Sequence, residues 1–317
     1  MRHATSRLRA HRGAGPVQGQ EGSPGLVDLS QSVPLLQSKR YKPVVNAKDA
    51  PTQLRHALEA PFQFSDVPVS LYAGWILDPE KGPVVAISYQ IDLDAESAKE
   101  QAKAEVMGGV ANKDGVTVES FRETLSPPEG APPWKSGTVV LKYIRKLYLE
   151  PGLYQIRVAA RNPITGELGS AWQWIQVPAK AAGKMWLSSI FLREQSSGSA
   201  PADVRLNLDA VSNARFSIQR RFAPNAEVQF HINVHDAAGP DLLIGTAIFQ
   251  GNQPIVQTPP QKITASPAYV EQHFFPVAGG LSFRDLAPGT YTLEVAITDS
   301  LANTKLIERV PFAVEKK

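Results

Sequence analysis

One phrase occurs twice in this 317-residue chain and constrains its fold more than any other feature. The first copy is LEPGLY at 149–154 and the second is LAPGTY at 286–291, so Leu, Pro, Gly and Tyr return at the same offsets. Each copy continues into alternating apolar residues, the period expected of a strand with one buried face. The repeat therefore predicts one β-sandwich module that is built twice.

Strand-like segments fill most of both modules. In the first module, alternating or continuous apolar stretches predict strands at 67–77, 83–93, 104–112, 116–125, 138–149, 154–161 and 170–177. In the second, they predict strands at 184–193, 227–236, 242–250, 255–264, 269–283, 291–299 and 305–314. About seven strands separated by turns are typical of immunoglobulin-like and fibronectin III-like sandwiches. The predicted fold class is all-β, with two tandem sandwiches of this kind at 67–178 and 184–315.

The part of the chain before the sandwiches has a different character. Residues 1–38 lack hydrophobic periodicity and are rich in Gly, Pro, Gln and Ser, which predicts a disordered leader. Residues 39–66 are predicted to be a linker, in which 52–59 makes one or two helical turns before Pro61 ends them.

Charge and cysteine content exclude several classes of function. The formal net charge is +3, and removing the four arginines among the first twelve residues leaves −1 for the rest of the chain. Nucleic-acid binding needs a basic face on the folded body, so nucleic acid is not a predicted partner. The absence of cysteine excludes disulfides and thiolate chemistry. No apolar run approaches the roughly 20 residues of a membrane span, and no apolar core of a secretory signal is visible.

The repeated phrase has a mechanical explanation in a sandwich fold. Pro and Gly form the turn into the penultimate strand, and the following Tyr buries its ring while its hydroxyl bonds back to the corner backbone. We therefore predict that Tyr154 and Tyr291 are structural tyrosine corners.

A pair of tryptophans lies in the predicted closing strand of the first module. Trp172 and Trp174 share one face of that strand, while Ile175 and Val177 share the other. Both faces cannot pack into the same core. If the aliphatic face is internal, the pair is either a ligand platform or, as we prefer, a seam against the second module near Trp186, since aromatic residues concentrate at buried interfaces.

Two histidines four residues apart resemble a zinc-binding pair, because on a helix His231 and His235 would share a face. The apolar alternation over 228–234 instead predicts a strand, with both histidines and Asn233 on the face opposite the apolar one. On a strand the two histidines are about 13 Å apart, too far to share one ion. We predict solvent-facing polar positions and no metal site.

Three further patterns concern metals. Asp28, Ser30 and Ser32 match the Asp-x-Ser-x-Ser metal-ion-dependent adhesion motif of von Willebrand factor A domains. That motif follows a long apolar strand, which is absent here, so a chance match is favoured. Acidic turns at 92–96 and 236–241 offer oxygen ligands for Ca²⁺, although acidic residues are also ordinary turn residues. The prediction is no metal and no cofactor.

Known catalytic motifs are absent from the sequence: there is no Gly-x-Ser-x-Gly elbow, Walker loop, Gly-x-Gly-x-x-Gly or His-Glu-x-x-His. A convergent triad leaves no such trace in sequence order. Three hypotheses remain, of which we prefer the first. They are a non-enzymatic structural or interaction module, a carbohydrate- or peptide-binding module that uses loops or the Trp172 and Trp174 face, and a hydrolase with a convergent site.

Framework phrases between residues 38 and 315 resemble the C-terminal β-rich half of VWFA-related acidobacterial-type bacterial proteins. The resemblance implies an exported protein, periplasmic or secreted, in which a signal peptide and an A domain precede this half. It also implies a von Willebrand factor A-type domain, or another protein, as partner. Residues 1–37 match neither preceding part, which predicts a truncated product or a separately encoded upstream portion, and no adhesion activity transfers to these residues. The phrases lie at 39–43, 54–62, 66–69, 149–158, 169–178 and 187–192.

Overall fold

Two compact units make up the protein, and each is built almost entirely of β-strands. The computed structural model describes residues 49–78, 81–94, 102–127, 137–179, 183–195, 216–267, 269 and 273–316. We call 49–179 the N-terminal unit and 183–316 the C-terminal unit. The all-β sandwich class predicted from the sequence is confirmed. The predicted leader at 1–38 lies outside the described residues.

The described part of the N-terminal unit contains one helix and seven strands. Its strands form two antiparallel sheets, one in the order β1-β2-β5 and the other in the order β4-β3-β6-β7. The elements are α1 (Ala50–Glu59), β1 (Val69–Asp78), β2 (Gly82–Asp94), β3 (Ala104–Asn112), β4 (Thr117–Leu125), β5 (Thr138–Tyr148), β6 (Gly152–Arg161) and β7 (Leu168–Val177).

Helix α1 is set by its ends and by one apolar stripe. The Asp49 side chain accepts a hydrogen bond from the Thr52 backbone N–H at 2.9 Å, and this N-cap bond lowers the pKa of that carboxyl. Leu54 and Ala57, three residues apart, are buried against Ala159 of β6 in one apolar cluster. The helix therefore lies on the four-stranded sheet, on the face turned away from the interior of the sandwich.

The C-terminal unit also has two sheets. In one, β15 and the pair β8 and β9 flank β11; in the other, the order is β10-β17-β16-β12, with β13 and β14 both pairing with β12. The strands are β8 (Trp186–Leu187), β9 (Phe191–Glu194), β10 (Arg221–Phe222), β11 (Glu227–His235), β12 (Asp241–Gln250), β13 (Gln253–Gln257), β14 (Gln261–Thr264), β15 (Phe274–Ser282), β16 (Gly289–Asp299) and β17 (Thr304–Val314).

The two units follow the same plan of strand pairing. In each, the strand after the repeated phrase, β6 or β16, pairs with the closing strand β7 or β17 on one side and with β3 or β12 on the other. In each, the remaining sheet has a central strand, β2 or β11, between its two neighbours. The single module inferred from the repeat therefore describes both units.

Three predicted strands of the C-terminal unit differ from the observed ones. The strand expected at 184–193 is divided into β8 and β9, because the Ser188 hydroxyl accepts the Asn233 backbone N–H and interrupts the backbone ladder. The strand expected at 255–264 is divided into β13 and β14 around Pro259 and Pro260, which have no N–H to donate. The strand expected at 269–283 begins only at Phe274.

Candidate functional site

Tyr154 and Tyr291 make equivalent hydrogen bonds in the two units. The Tyr154 hydroxyl donates to the carbonyl oxygen of Glu150 at 2.8 Å, and the Tyr291 hydroxyl donates to that of Ala287 at 2.5 Å. Both rings are buried. Each phenol thus ties the start of its strand to the turn four residues earlier, which is the bond that defines a tyrosine corner.

Trp172 and Trp174 lie next to each other on one face of β7, and both are half-buried. Ile175 and Val177, on the other face, are buried in the sandwich. Across the β6–β7 ladder, Trp172 is paired with Arg157 and Trp174 with Gln155. The indoles therefore share the outward face of the four-stranded sheet with α1, and we call Trp172, Trp174, Arg157 and Gln155 the Trp face.

Arg157 is held firmly within the Trp face. Its Nη1 donates to the carbonyl oxygens of Leu58 and Ala60 at 2.9 and 3.0 Å, which are end-of-helix acceptors, and its Nε donates to Gln155 Oε1 at 2.9 Å. A fixed guanidinium beside two indoles offers stacking area and polar groups with little loss of side-chain entropy on binding. These properties suit recognition of another molecule.

Gln173, between the two tryptophans in sequence, points to the opposite side of β7. Its Oε1 accepts from the Ala73 backbone N–H at 3.0 Å, and its Nε2 donates to the Ala73 carbonyl at 2.7 Å. This side chain therefore joins the edge strands β1 and β7. The lateral opening between β1 and β7 is therefore closed by residues of the N-terminal unit itself.

The prediction that His231, Asn233 and His235 face solvent is wrong. They expose 1%, 1% and 4% of their surface, although they do lie on the face of β11 opposite the buried residues Val228, Phe230, Ile232 and Val234. Phe216 packs edge-on to His231 with ring centroids 5.4 Å apart, and Trp186 stacks on His235 at 3.9 Å. Strand alternation identified the second face of β11 but not its burial, since half-solvated antiparallel sheets show the same alternation.

Trp186 belongs to a small polar cluster in the C-terminal unit. Its indole N–H donates to Asp236 Oδ2 at 3.0 Å, and Asp236 Oδ1 lies 3.9 Å from Nδ1 of His273. Asp236 follows β11 with φ of 53°, in the left-handed region that Asp tolerates better than most residues. Trp186 thus packs on His235, and its predicted role in a seam with Trp172 and Trp174 stays a prediction.

The candidate metal ligands are not brought together. Asp92 accepts from Gln90, and Asp241 accepts from Lys262 and Thr264, bonds that lower the pKa of the Asp241 carboxyl. Among the described residues, no three His, Asp or Glu side chains are placed to hold one ion. Asp28, Ser30 and Ser32 lie outside the described residues.

Sequence reasoning missed one polar cluster inside the N-terminal unit. The fully buried Tyr89 bonds Glu123 through its hydroxyl, and Arg145 Nη2 lies 3.5 Å from Glu123 Oε2. Arg145 also sits 4.3 Å over the ring of Phe121. Burial, and then the bond to Glu123, raise the pKa of Tyr89 far above its usual range. Alternation along β2 predicted a buried Tyr89, but no local signal links it to residues on β4 and β5.

Comparison with known proteins gives little. No protein-family model and no curated protein sequence matches the chain. A red sea bream transglutaminase structure is 10% identical over 80% of this chain and 32% of its own, with a TM-score of 0.25. A β-glucuronidase from Bacteroides uniformis is 10% identical over 72% of this chain and 26% of its own, with the same TM-score. The chain thus spans less than a third of the length of either, and similarity this low supports no inference about activity.

Proposed function

We propose that the chain is a non-enzymatic structural and interaction module of an exported bacterial protein, in which two tandem sandwiches display or space a partner domain. The observation that carries the proposal is the use of buried and half-buried polar side chains as framework. Gln173 bonds the backbone of β1, Arg157 bonds the end of α1, and Asp299 accepts from three loop amides. Groups that an enzyme would direct at a substrate hold the scaffold together instead.

The partner and the location rest on the family resemblance. A von Willebrand factor A-type domain is the partner that the resemblance implies, and export to the periplasm or medium is the location. No helix in the described part of the chain has the length and apolar character needed to cross a membrane. The Trp face is the surface we assign to the partner, because Trp and Arg dominate binding energy at protein interfaces.

A carbohydrate- or peptide-binding module is the second candidate. The observation that favours it is the pair of half-buried indoles beside a fixed guanidinium and a side-chain amide. Flat aromatic area with a few oriented polar groups is the usual make-up of a small-ligand site. This function would use the same Trp face but bind a free glycan or peptide.

One set of variants tests both candidates. Calorimetric titration of the full chain with von Willebrand factor A-type domains encoded in the same genome should show binding. The Trp172→Ala, Trp174→Ala double variant should weaken it about 30-fold, the loss expected when two interface residues that contribute about 1 kcal/mol each are truncated. The matched control is Phe62→Ala, which removes a 41% exposed aromatic ring from the segment between α1 and β1 of the same unit.

The outcomes separate the hypotheses. If the double variant abolishes binding to a glycan or peptide array while no A-type domain binds, the second candidate replaces the first. If both the wild-type chain and the double variant turn over a hydrolase substrate, the non-enzymatic assignment fails. Equal effects of Phe62→Ala and the double variant would remove the Trp face from the proposal.

A further inference from the structure

The two lateral sides of the N-terminal sandwich are closed differently. On one side, Gln173 links β1 to β7, and Ser65 forms an isolated bridge with Gly169 of β7. On the other side, β5 is the edge of its sheet and pairs only with β2 in the ranges that the structure describes. This 11-residue strand therefore presents a free edge to which a further strand can be added.

The outward face of β5 alternates apolar and cationic side chains. These are Val140, Lys142, Ile144, Lys146 and Tyr148, which we call the β5 stripe. Val140 and Tyr148 expose 46% and 45% of their surface, both lysines are exposed, and Ile144 is half-buried. Within the described chain, no ion pair joins Lys142 or Lys146 to a carboxylate. The stripe is an accessible cationic surface with an apolar centre.

Lysines on an edge strand select what can pair with it. If two copies of β5 paired antiparallel about Ile144, Lys142 of each copy would lie opposite Lys146 of the other, and such like-charge pairs are destabilising. The same charges favour a strand of opposite sign. Lys142 and Lys146 are about 13 Å apart along the strand, as are residues i and i+4 of any added strand. Acidic residues at those positions and an apolar residue at i+2 would meet both lysines and Ile144.

The second edge strand on this side, β4, does not share this character. Its charged residues are Glu119, Arg122 and Glu123, of mixed sign, and Glu123 is already bonded to Tyr89 and Arg145. Of these two strands, β5 alone combines an edge left unpaired by the described residues with charge of one sign.

We propose that β5 is a docking edge for an extended acidic segment of another protein, with the pattern acid-x-apolar-x-acid, which adds to the sheet as a strand. Backbone hydrogen bonds supply the affinity, and two carboxylate–lysine contacts supply the selectivity. The inference rests on the proposed interaction function and deepens it by naming the chemistry of a partner. It uses a different sheet from the one that carries the Trp face.

Fluorescence anisotropy of a labelled peptide tests the docking edge in the full chain. The peptide carries Glu, Ile and Glu at alternate positions, with Thr and Val between them. At about 50 mM salt it should bind, and Lys142→Glu with Lys146→Glu should weaken it about tenfold or more. A peptide with Lys in place of both Glu should bind this double variant and not the wild type. Methylating the amide nitrogens that face β5 should abolish binding, whereas methylating the alternate amides should not.

Lys305→Glu is the matched control, because it reverses an exposed lysine on β17 of the C-terminal unit and should leave binding unchanged. No binding up to about 1 mM peptide, no rescue by the charge-swapped peptide, or indifference to N-methylation would each overturn the proposal. If the peptide fails while a partner domain still binds through Trp172 and Trp174, only the docking edge is lost. If both fail, the interaction function itself is wrong.

Discussion

Strands β2 and β11 occupy the same central place in the two units. The face that each strand turns away from the interior of its sandwich differs in chemistry. Both are buried on both sides. The outward face of β2 carries Val84, Ala86, Ser88 and Gln90, whereas that of β11 carries Gln229, His231, Asn233 and His235. One strand position in a repeated fold thus accepts either a half-apolar or a wholly polar outward face.

The difference teaches how polar groups can replace apolar ones in a buried layer. Burying polar atoms costs free energy unless they are bonded, so the four polar residues of the row on β11 need more partners than the two, Ser88 and Gln90, of the row on β2. Part of the compensation is aromatic, because Trp186 stacks on His235 and Phe216 packs on His231. Another part is a side-chain bond, in which Arg193 donates to Gln229.

The largest expected effect tests whether both outward faces are truly buried. Asn233→Asp and Ser88→Asp each place a carboxylate at a buried position, since Asn233 exposes 1% of its surface and Ser88 exposes 5%. Each should lower the free energy of unfolding of its own unit by roughly 3–5 kcal/mol, since a buried unpaired charge is costly. Urea unfolding, monitored by hydrogen exchange of peptides from each unit, measures the free energy of unfolding of that unit. Thr117→Asp, at an exposed position on β4, is the control, and an equally small effect of all three variants would break the comparison.

A second test concerns the aromatic compensation on β11. His235→Ala removes the ring stacked on Trp186 and should destabilise the C-terminal unit by about 2–4 kcal/mol, through lost packing and a cavity. Gln90→Ala on β2 removes one hydrogen bond to Asp92 and should cost the N-terminal unit only about 1 kcal/mol. If both variants lower the free energy of unfolding equally, the stack of Trp186 on His235 does not stabilise the polar face of β11 more than one hydrogen bond would.

A third test separates the units by pH. Glu308 lies on the interior face of β17 in line with Val310 and Phe312, and burial raises its pKa to about 8 from a usual 4.5. The folded unit therefore keeps a proton that the unfolded chain has lost, and its stability falls as the pH rises from about 4.5 to about 8. Glu308→Gln should abolish this fall and stabilise the C-terminal unit by about 2 kcal/mol at pH 9, less than the roughly 5 kcal/mol of the full shift because the side chain keeps some contact with solvent.

The pH effect should be confined to one unit. Hydrogen exchange in the N-terminal unit should not change with Glu308→Gln at any pH. The contrary outcome is that the difference in free energy of unfolding between the wild-type C-terminal unit and Glu308→Gln is the same at pH 9 as at pH 5. It would mean that solvent reaches the carboxyl and that the carboxyl titrates normally.

The smallest expected effects come from the element the units share. Tyr154→Phe and Tyr291→Phe each remove one hydroxyl that bonds a corner carbonyl. Each should destabilise its own unit by about 1 kcal/mol, the net contribution of one partly buried hydrogen bond. Thermal unfolding of both variants, with unchanged melting as the contrary outcome, shows whether the two corners are energetically equivalent.

Much of the fold could be predicted because its signals are local. The hairpin after β3 turns at Lys113-Asp114-Gly115, residue types typical of turns, where Gly115 adopts φ of 78° and the Asn112 side chain accepts two turn amides. The tyrosine phrase marked the start of β6 and β16 in the same way. The division of the strand expected at 184–193 was harder to foresee, since the break at Ser188 depends on Asn233, which lies 45 residues away.

The candidate site shows the same limit. Alternation separated Trp172 and Trp174 from the core face of β7, because a strand turns successive side chains to opposite sides whatever surrounds it. The bonds that fix Arg157 beside them come from α1, almost a hundred residues earlier, and no local pattern announces them.

By itself, the sequence determined how many modules there are, where most strands run and which side chains share a face, since these follow from backbone geometry over a few neighbouring residues. Only the tertiary structure decided which of those faces are covered. Burial of the polar row of β11 and of the Tyr89–Glu123–Arg145 cluster follows from tertiary packing, because it depends on residues brought together from distant parts of the chain. A polar side chain on a strand is compatible with water or with a buried partner, and only packing chooses between them.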